Sequence, residues 1–157
     1  MSTKAIYNEE EIELEQLFKK IELIEKKKRW TIGSENPTND LKFIVRNCVV
    51  KYTPDKYDKL VLTIDEQTND FFDLLECIIC RNVEIQSIVK DQAIGIKLNE
   101  KLKTEVLSTL KKGDFIDVVV DFNNIWGMED KYYLSLSLYQ FKKTRSAQKE
   151  MKKNFFI

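Results

Sequence analysis

Two stretches decide the fold of this chain: residues 114–125, DFIDVVVDFNNI, and residues 131–143, KYYLSLSLYQFKK. In the first, Ile116, Val118, Val120 and Phe122 occupy every second position. In the second, Leu134, Leu136 and Leu138 do the same. A side-chain period of two is the signature of a strand with one face in the core. The polar segment WGMEDK, 126–131, reads as the turn between them. Strict alternation puts Tyr133, Ser135, Ser137, Tyr139, Phe141 and Lys143 on the opposite face of the second strand.

Working outward, residues 41–52, LKFIVRNCVVKY, read as a long strand and 59–65, KLVLTID, as its partner. The loop of about six residues between them, marked by Pro54 and Asp55, suits a hairpin. Asn69 or Asp70 caps a short helix over FFDLLECIIC, 71–80. Strands are expected at 83–89 and 93–98, the latter with Ile94, Ile96 and Leu98 on one face. A helix over 100–111 starts at the cap Asn99 and is ended by Gly113. Near the N-terminus, Leu14, Leu17, Phe18, Ile21 and Ile24 recur at helical spacing, so 9–28 reads as an amphipathic helix. The turn-rich run TIGSENPTND, 31–40, reads as a linker. The expected fold is mainly β with helices: a five- to six-stranded antiparallel barrel of the oligonucleotide-binding type, plus the N-terminal helix. An α+β sandwich fits the same string. The barrel is preferred because its long, evenly alternating strands can bend round and close. The domains are then 1–30, the N-terminal helix; 31–144, the barrel; and 145–157, a basic tail.

Composition narrows the chemistry. The 157 residues are 43% hydrophobic and 33% charged, which suits one folded domain rather than a disordered chain. The chain has no histidine, which excludes Ser-His-Asp and Cys-His nucleophilic sites and the commonest general base. Its four glycines form no phosphate-cradling loop. Cys77 and Cys80 make one CxxC, and with Cys48 they fall short of the four ligands a zinc ion takes; all three read as structural thiols. No metal or cofactor is expected. The acidic N-terminal residues have no apolar signal core and no stretch is apolar enough to span a bilayer, so a cytoplasmic or nuclear protein is expected, neither secreted nor membrane-bound. Net formal charge is zero, divided between an acidic head and a basic end.

The candidate functional face follows from these strands. Tyr133, Tyr139 and Phe141 carry aromatic rings beside Lys142, Lys143 and Arg145. Lys42, Arg46 and Tyr52 share the second face of strand 41–52, with Ile44 and Cys48 between them, and Lys59 and Thr63 lie on the matching face of its partner. Tyr57 sits in the connecting loop and Trp126 at a loop tip. Rings stack unpaired bases and cations meet phosphates. Packing alone is the rival explanation: Tyr139 and Phe141 would cover the N-terminal helix and Trp126 would plug the barrel. Asp117 and Asp121 on the neighbouring strand would repel phosphate. Those acids also suggest a magnesium-dependent nuclease, but four residues along a strand span about 13 Å, too far to share one ion. No catalytic residues are assigned, and the chain reads as a binding protein rather than an enzyme.

Residues 113–144 also resemble the end of the single-stranded DNA-binding proteins of large cytoplasmic DNA viruses, the poxvirus-like group. In that family a glycine opens a long apolar strand ending in Ile-Trp; a polar turn follows, then an aromatic-rich strand closing in Gln, an apolar residue and Lys. Here these are Gly113, Ile125-Trp126, Tyr132-Tyr133 and Gln140-Phe141-Lys142. Tyr133 stands where the family often has glycine. The match covers about a fifth of the chain. It implies an oligonucleotide-binding barrel that coats single strands in replication, in the host cytoplasm if the protein is viral. The acidic C-terminal tip of bacterial proteins with that job has no counterpart in Lys152-Lys153-Asn154-Phe155-Phe156-Ile157.

The expectation is therefore a largely sequence-independent binder of single-stranded DNA, with RNA as a second choice, acting in replication, recombination or repair. Its candidate contacts are Lys42, Arg46, Tyr52, Tyr57, Lys59, Trp126, Tyr133, Tyr139, Phe141, Lys142, Lys143 and Arg145. The alternative is a scaffold subunit that self-associates or docks on partner chains through its N-terminal helix and C-terminal tail.

Overall fold

A computed structural model describes residues 3–7, 10–16, 23–25, 29–32, 41–54, 58–79, 87–128 and 131–146. The alternating stretches form the long strands. β5 is Leu41–Tyr52, β6 Lys59–Thr63, β7 Ala93–Lys97, β8 Phe115–Met128 and β9 Lys131–Arg145. Hydrogen bonding runs β5-β6-β7-β9-β8, and β8 pairs back onto β5. The result is a closed five-strand β-barrel. Its inward positions are Phe43, Val45, Leu60, Leu62, Ile94, Ile96, Ile116, Val118, Val120, Leu136 and Leu138, all buried in one core. The barrel is mixed rather than wholly antiparallel. After β7 the chain crosses to β8 through a helix, and the β8–β9 hairpin returns it beside β7, so β9 runs parallel to β7.

Helix α1, Glu66–Ile79, joins β6 to β7, and α2, Glu100–Thr109, joins β7 to β8. The α1 helix begins earlier than expected because Asp65, not Asn69 or Asp70, is its cap: the Asp65 carboxylate accepts from the Thr68 N–H at 2.8 Å. It turns Phe72, Leu75 and Ile78 into the core, where Phe71 and Phe72 meet Phe43 edge-on. In α2 the Asn99 cap is as expected, accepting from Leu102 N–H at 2.8 Å. The chain leaves α2 at Leu110, and Gly113 takes φ 91° in the turn to β8, a value that disfavours other residues. The expected strand 83–89 falls largely outside the described residues. Within them, 87–92 make only an isolated bridge from Lys90 to Ala93.

The N-terminal helix expected over 9–28 is corrected at 10–12 and 23–25, which are strands; 17–22 and 26–28 lie outside the described residues. Thr3–Tyr7 (β1) pairs with β5, and Glu10–Ile12 (β2) pairs with β1. Residues 14–16 are helical, but Leu23–Glu25 (β3) pairs with Arg29–Ile32 (β4), which pairs with β8 at Ile125 and Trp126. At Ile24, backbone pairing with β4 overrides the local helical spacing. Ala5 and Leu14 are buried in the barrel's own core. No described helix is long and apolar enough to cross a membrane.

Candidate functional site

One register row crosses all five barrel strands on their outer face. Lys59 of β6 pairs with Lys97 of β7, Lys97 with Ser137 of β9, Ser137 with Asp121 of β8, and Asp121 with Lys42 of β5. One step away, Tyr52 pairs with Val61 and Val61 with Gly95. Gly95 is exposed, and a side chain there would meet only the Lys59 stem, at 3.9 Å. Bare backbone therefore lies beside two lysines, with Tyr52 two strands away in the same row.

Two tyrosines stand out from this surface. Tyr52 is 54% exposed and Tyr139 is 53% exposed. Each carries cations: Lys51 and Lys112 lie 5.7 and 5.5 Å from the Tyr52 ring, and Lys42 lies 5.0 Å from the Tyr139 ring. Tyr52 belongs to the β5–β6 side and Tyr139 to the β8–β9 side.

Three irregularities decide which residues reach this surface. Asn47 takes φ 61°, and β5 bulges between Val45 and Cys48, which swings Cys48 into the core. This corrects the placement of Cys48 on the outer face. Burial pushes its thiol up to about 12, reinforced by Asp117 and then Asp65, so it is inert at neutral pH. A second shift between Val50 and Tyr52 returns Tyr52 to the surface. In β9, Val119 pairs with Gln140 but Val120 with Leu138, so Tyr139 is the extra residue. Beyond it the alternation reverses: Phe141 packs on the core opposite Val118, and Lys143 pairs with Ile116. Strict alternation had put both on the binding face.

The basic end of β9 is tied to the barrel. Lys143 Nζ lies 3.3 Å from the buried Asp114 carboxylate and 3.5 Å from the Thr109 carbonyl at the end of α2. The Arg145 guanidinium lies 4.0 Å over the Phe115 ring. Lys142 is exposed and pairs in register with Asp117. Arg46 is exposed at the β5 bulge. Trp126, expected at a loop tip, is a strand residue of β8 and pairs with Tyr133 of β9, which is in a strand as expected; the side chains of both lie outside what is described. Tyr57 also lies outside the described residues.

Lys97, Gly95 and Lys112 were missed in the sequence, although inward Ile94 and Ile96 already implied that Gly95 and Lys97 face out. Asp121 was expected on the outer face, to repel phosphate or, on the rival nuclease reading, to hold magnesium. Its outward placement holds, but neighbours cover it to 7% exposure. Burial raises its carboxyl above the usual range and Lys42, at 3.9 Å, pulls it back. Cys77 is exposed on α1 rather than buried. No group of metal-ligating side chains occurs among the described residues. Comparison with protein-family models, with curated proteins and with solved structures finds no match for this chain.

Proposed function

We propose that this chain is an oligonucleotide-binding-type barrel that binds single-stranded nucleic acid, DNA first, across the outer face of β6, β7 and β9. The observation that carries the reading is the row Lys59–Lys97–Ser137, with the bare backbone of Gly95 beside it and an exposed tyrosine near each end. A five-strand barrel with a helix between its third and fourth strands supports it, because such barrels bind oligonucleotides on the face of their second and third strands. Here those strands are β6 and β7. Lysines attract the phosphates and exposed rings stack bases without selecting sequence. The resemblance of residues 113–144 to viral single-strand binders points the same way and suggests a role in replication, recombination or repair.

Fluorescence anisotropy of a labelled oligothymidine, competed with duplex of the same length, tests the reading. Binding that resists duplex supports it; equal competition by duplex rejects the single-strand preference.

Self-association is a second and compatible reading. β2 and β3 are the outermost strands in the sheet order, and an edge strand presents backbone groups that another chain can pair with. Sedimentation velocity over a range of concentrations tests it: a single monomeric species throughout rejects it.

A further inference from the structure

We infer that the groove beside Tyr139 is a base-selecting subsite, in which the Asp121 carboxylate accepts hydrogen bonds from the Watson–Crick edge of a guanine stacked on Tyr139. The inference rests on the single-strand reading above and adds a preference to it.

The groove encloses about 480 Å³ between the start of α2 and strands β8 and β9. Its polar lining is Asn99, Lys101, Glu105, Asp121, Tyr139 and Gln140. That volume lies within the range of small-molecule sites, roughly 300–1,000 Å³. Asp121 is more than nine-tenths buried, and its Oδ1 accepts no hydrogen bond among the described residues. The Lys42 ammonium, at 3.9 Å, is beyond hydrogen-bond length. A buried acceptor without a donor is costly, and an ionised carboxylate can only accept. Oδ1 is itself covered, so a ligand that brings N–H groups reaches it once the Lys42 ammonium beside it is displaced.

A phosphate brings none and is repelled. Among the bases, guanine alone presents two adjacent donors, N1–H and the 2-amino group, to the two oxygens of one carboxylate. Adenine and cytosine each offer one amino group beside a ring acceptor, and thymine offers one N–H between two carbonyls. Tyr139, half exposed at the groove wall, supplies the stacking surface. A base arriving on that ring displaces the Lys42 ammonium from it, towards the phosphate that accompanies the base.

Four short oligothymidines that differ only at the central nucleotide, carrying guanine, adenine, cytosine or thymine, test this by anisotropy. The guanine oligonucleotide is expected to bind about tenfold tighter than the thymine one, the discrimination of a bidentate contact. Inosine, which lacks the 2-amino group, should lose most of that preference. Asp121→Asn should abolish it and leave oligothymidine binding intact. Equal affinity for all four oligonucleotides, or a guanine preference that survives in Asp121→Asn, overturns the inference while the single-strand reading stands. If none of the four binds at low salt, the single-strand reading fails and the subsite fails with it. The wild-type series needs no variant, so it decides the matter even if Asp121→Asn does not fold.

Discussion

The end of β9 and the face of β6 and β7 are both rich in cations, yet they are built differently. Lys143 and Arg145 lie in the most basic stretch of the described chain, but one is paired to buried Asp114 and the other lies on the Phe115 ring. Lys59 and Lys97 are isolated in sequence, but the β6–β7 register brings them side by side beside the bare backbone of Gly95. On the proposed reading, the binding face is not the stretch of highest local charge density in the sequence. What matters for a polyanion is which cations the register sets side by side on one exposed stretch of sheet.

The largest effect should appear at the tied end, and as stability. Asp114 is buried, accepts from the Lys111 N–H at 2.8 Å and meets Lys143. Asp114→Ala should cost about 3 kcal/mol by removing a buried carboxylate that holds a turn hydrogen bond and pairs with the partly exposed Lys143. Lys143→Ala, which leaves the carboxylate buried, should cost about 2 kcal/mol. Urea unfolding measures both. A change under a few tenths of a kcal/mol would erase the distinction between the two regions.

Next come the rings. Tyr139→Ala should weaken oligothymidine binding by about 2 kcal/mol, and Tyr52→Ala by a similar amount, since stacking contributes about 1–3 kcal/mol per base. Neither change should alter the urea midpoint appreciably, because both side chains are half exposed. A loss of stability matching the loss of binding would make these tyrosines packing residues.

The lysines of the open face should be read in the salt dependence. With Lys59→Ala and Lys97→Ala combined, the slope of log affinity against log salt should fall by about 2, one for each lost phosphate contact. An unchanged slope would mean that neither lysine meets a phosphate.

The smallest effect concerns pH. Burial raises the Asp121 carboxyl in the folded chain, so the folded state holds that proton more tightly than the unfolded state does. Its contribution is present below the ordinary carboxylate pKa and is lost as pH rises through the folded value. Asp121→Asn should therefore melt slightly higher than wild type at neutral pH, and the gap should close as the pH falls below the usual carboxylate range. Melting curves across that range check it, and a variant that melts lower at neutral pH would show that the pairing with Lys42 outweighs the burial.

Much of the barrel was legible because one face of each strand is core. The alternation of Ile116, Val118, Val120 and Phe122 fixed β8, and that of Leu134, Leu136 and Leu138 fixed the first part of β9. The Asn99 cap fixed the start of α2. The bulges were not legible. An extra residue at Tyr139 moves Phe141 inward, but phenylalanine suits either face, so nothing in the string marks the change of phase. The N-terminal apolar residues are spaced at a helical period, and where the segment is described as strand, at Glu10–Ile12 and Leu23–Glu25, pairing with other strands, not local spacing, sets the structure. The parallel β7–β9 pair likewise depends on where the α2 crossover delivers the chain. At the candidate site Lys42, Lys59 and Tyr139 could be read from alternation and residue type, whereas Tyr52 faces out only because two shifts in β5 cancel. The role of Lys143 could not, because its partner Asp114 lies 29 residues away in sequence.

The most direct test compares two charge reversals by oligothymidine anisotropy at low salt. One is Lys59→Glu with Lys97→Glu, the other Lys142→Glu with Arg145→Glu. The account predicts that the first loses most of the affinity while keeping its fold, and that the second, once corrected for stability, loses little. Wild-type affinity in the first variant, with the loss in the second, would contradict it and return the binding surface to the basic end of β9.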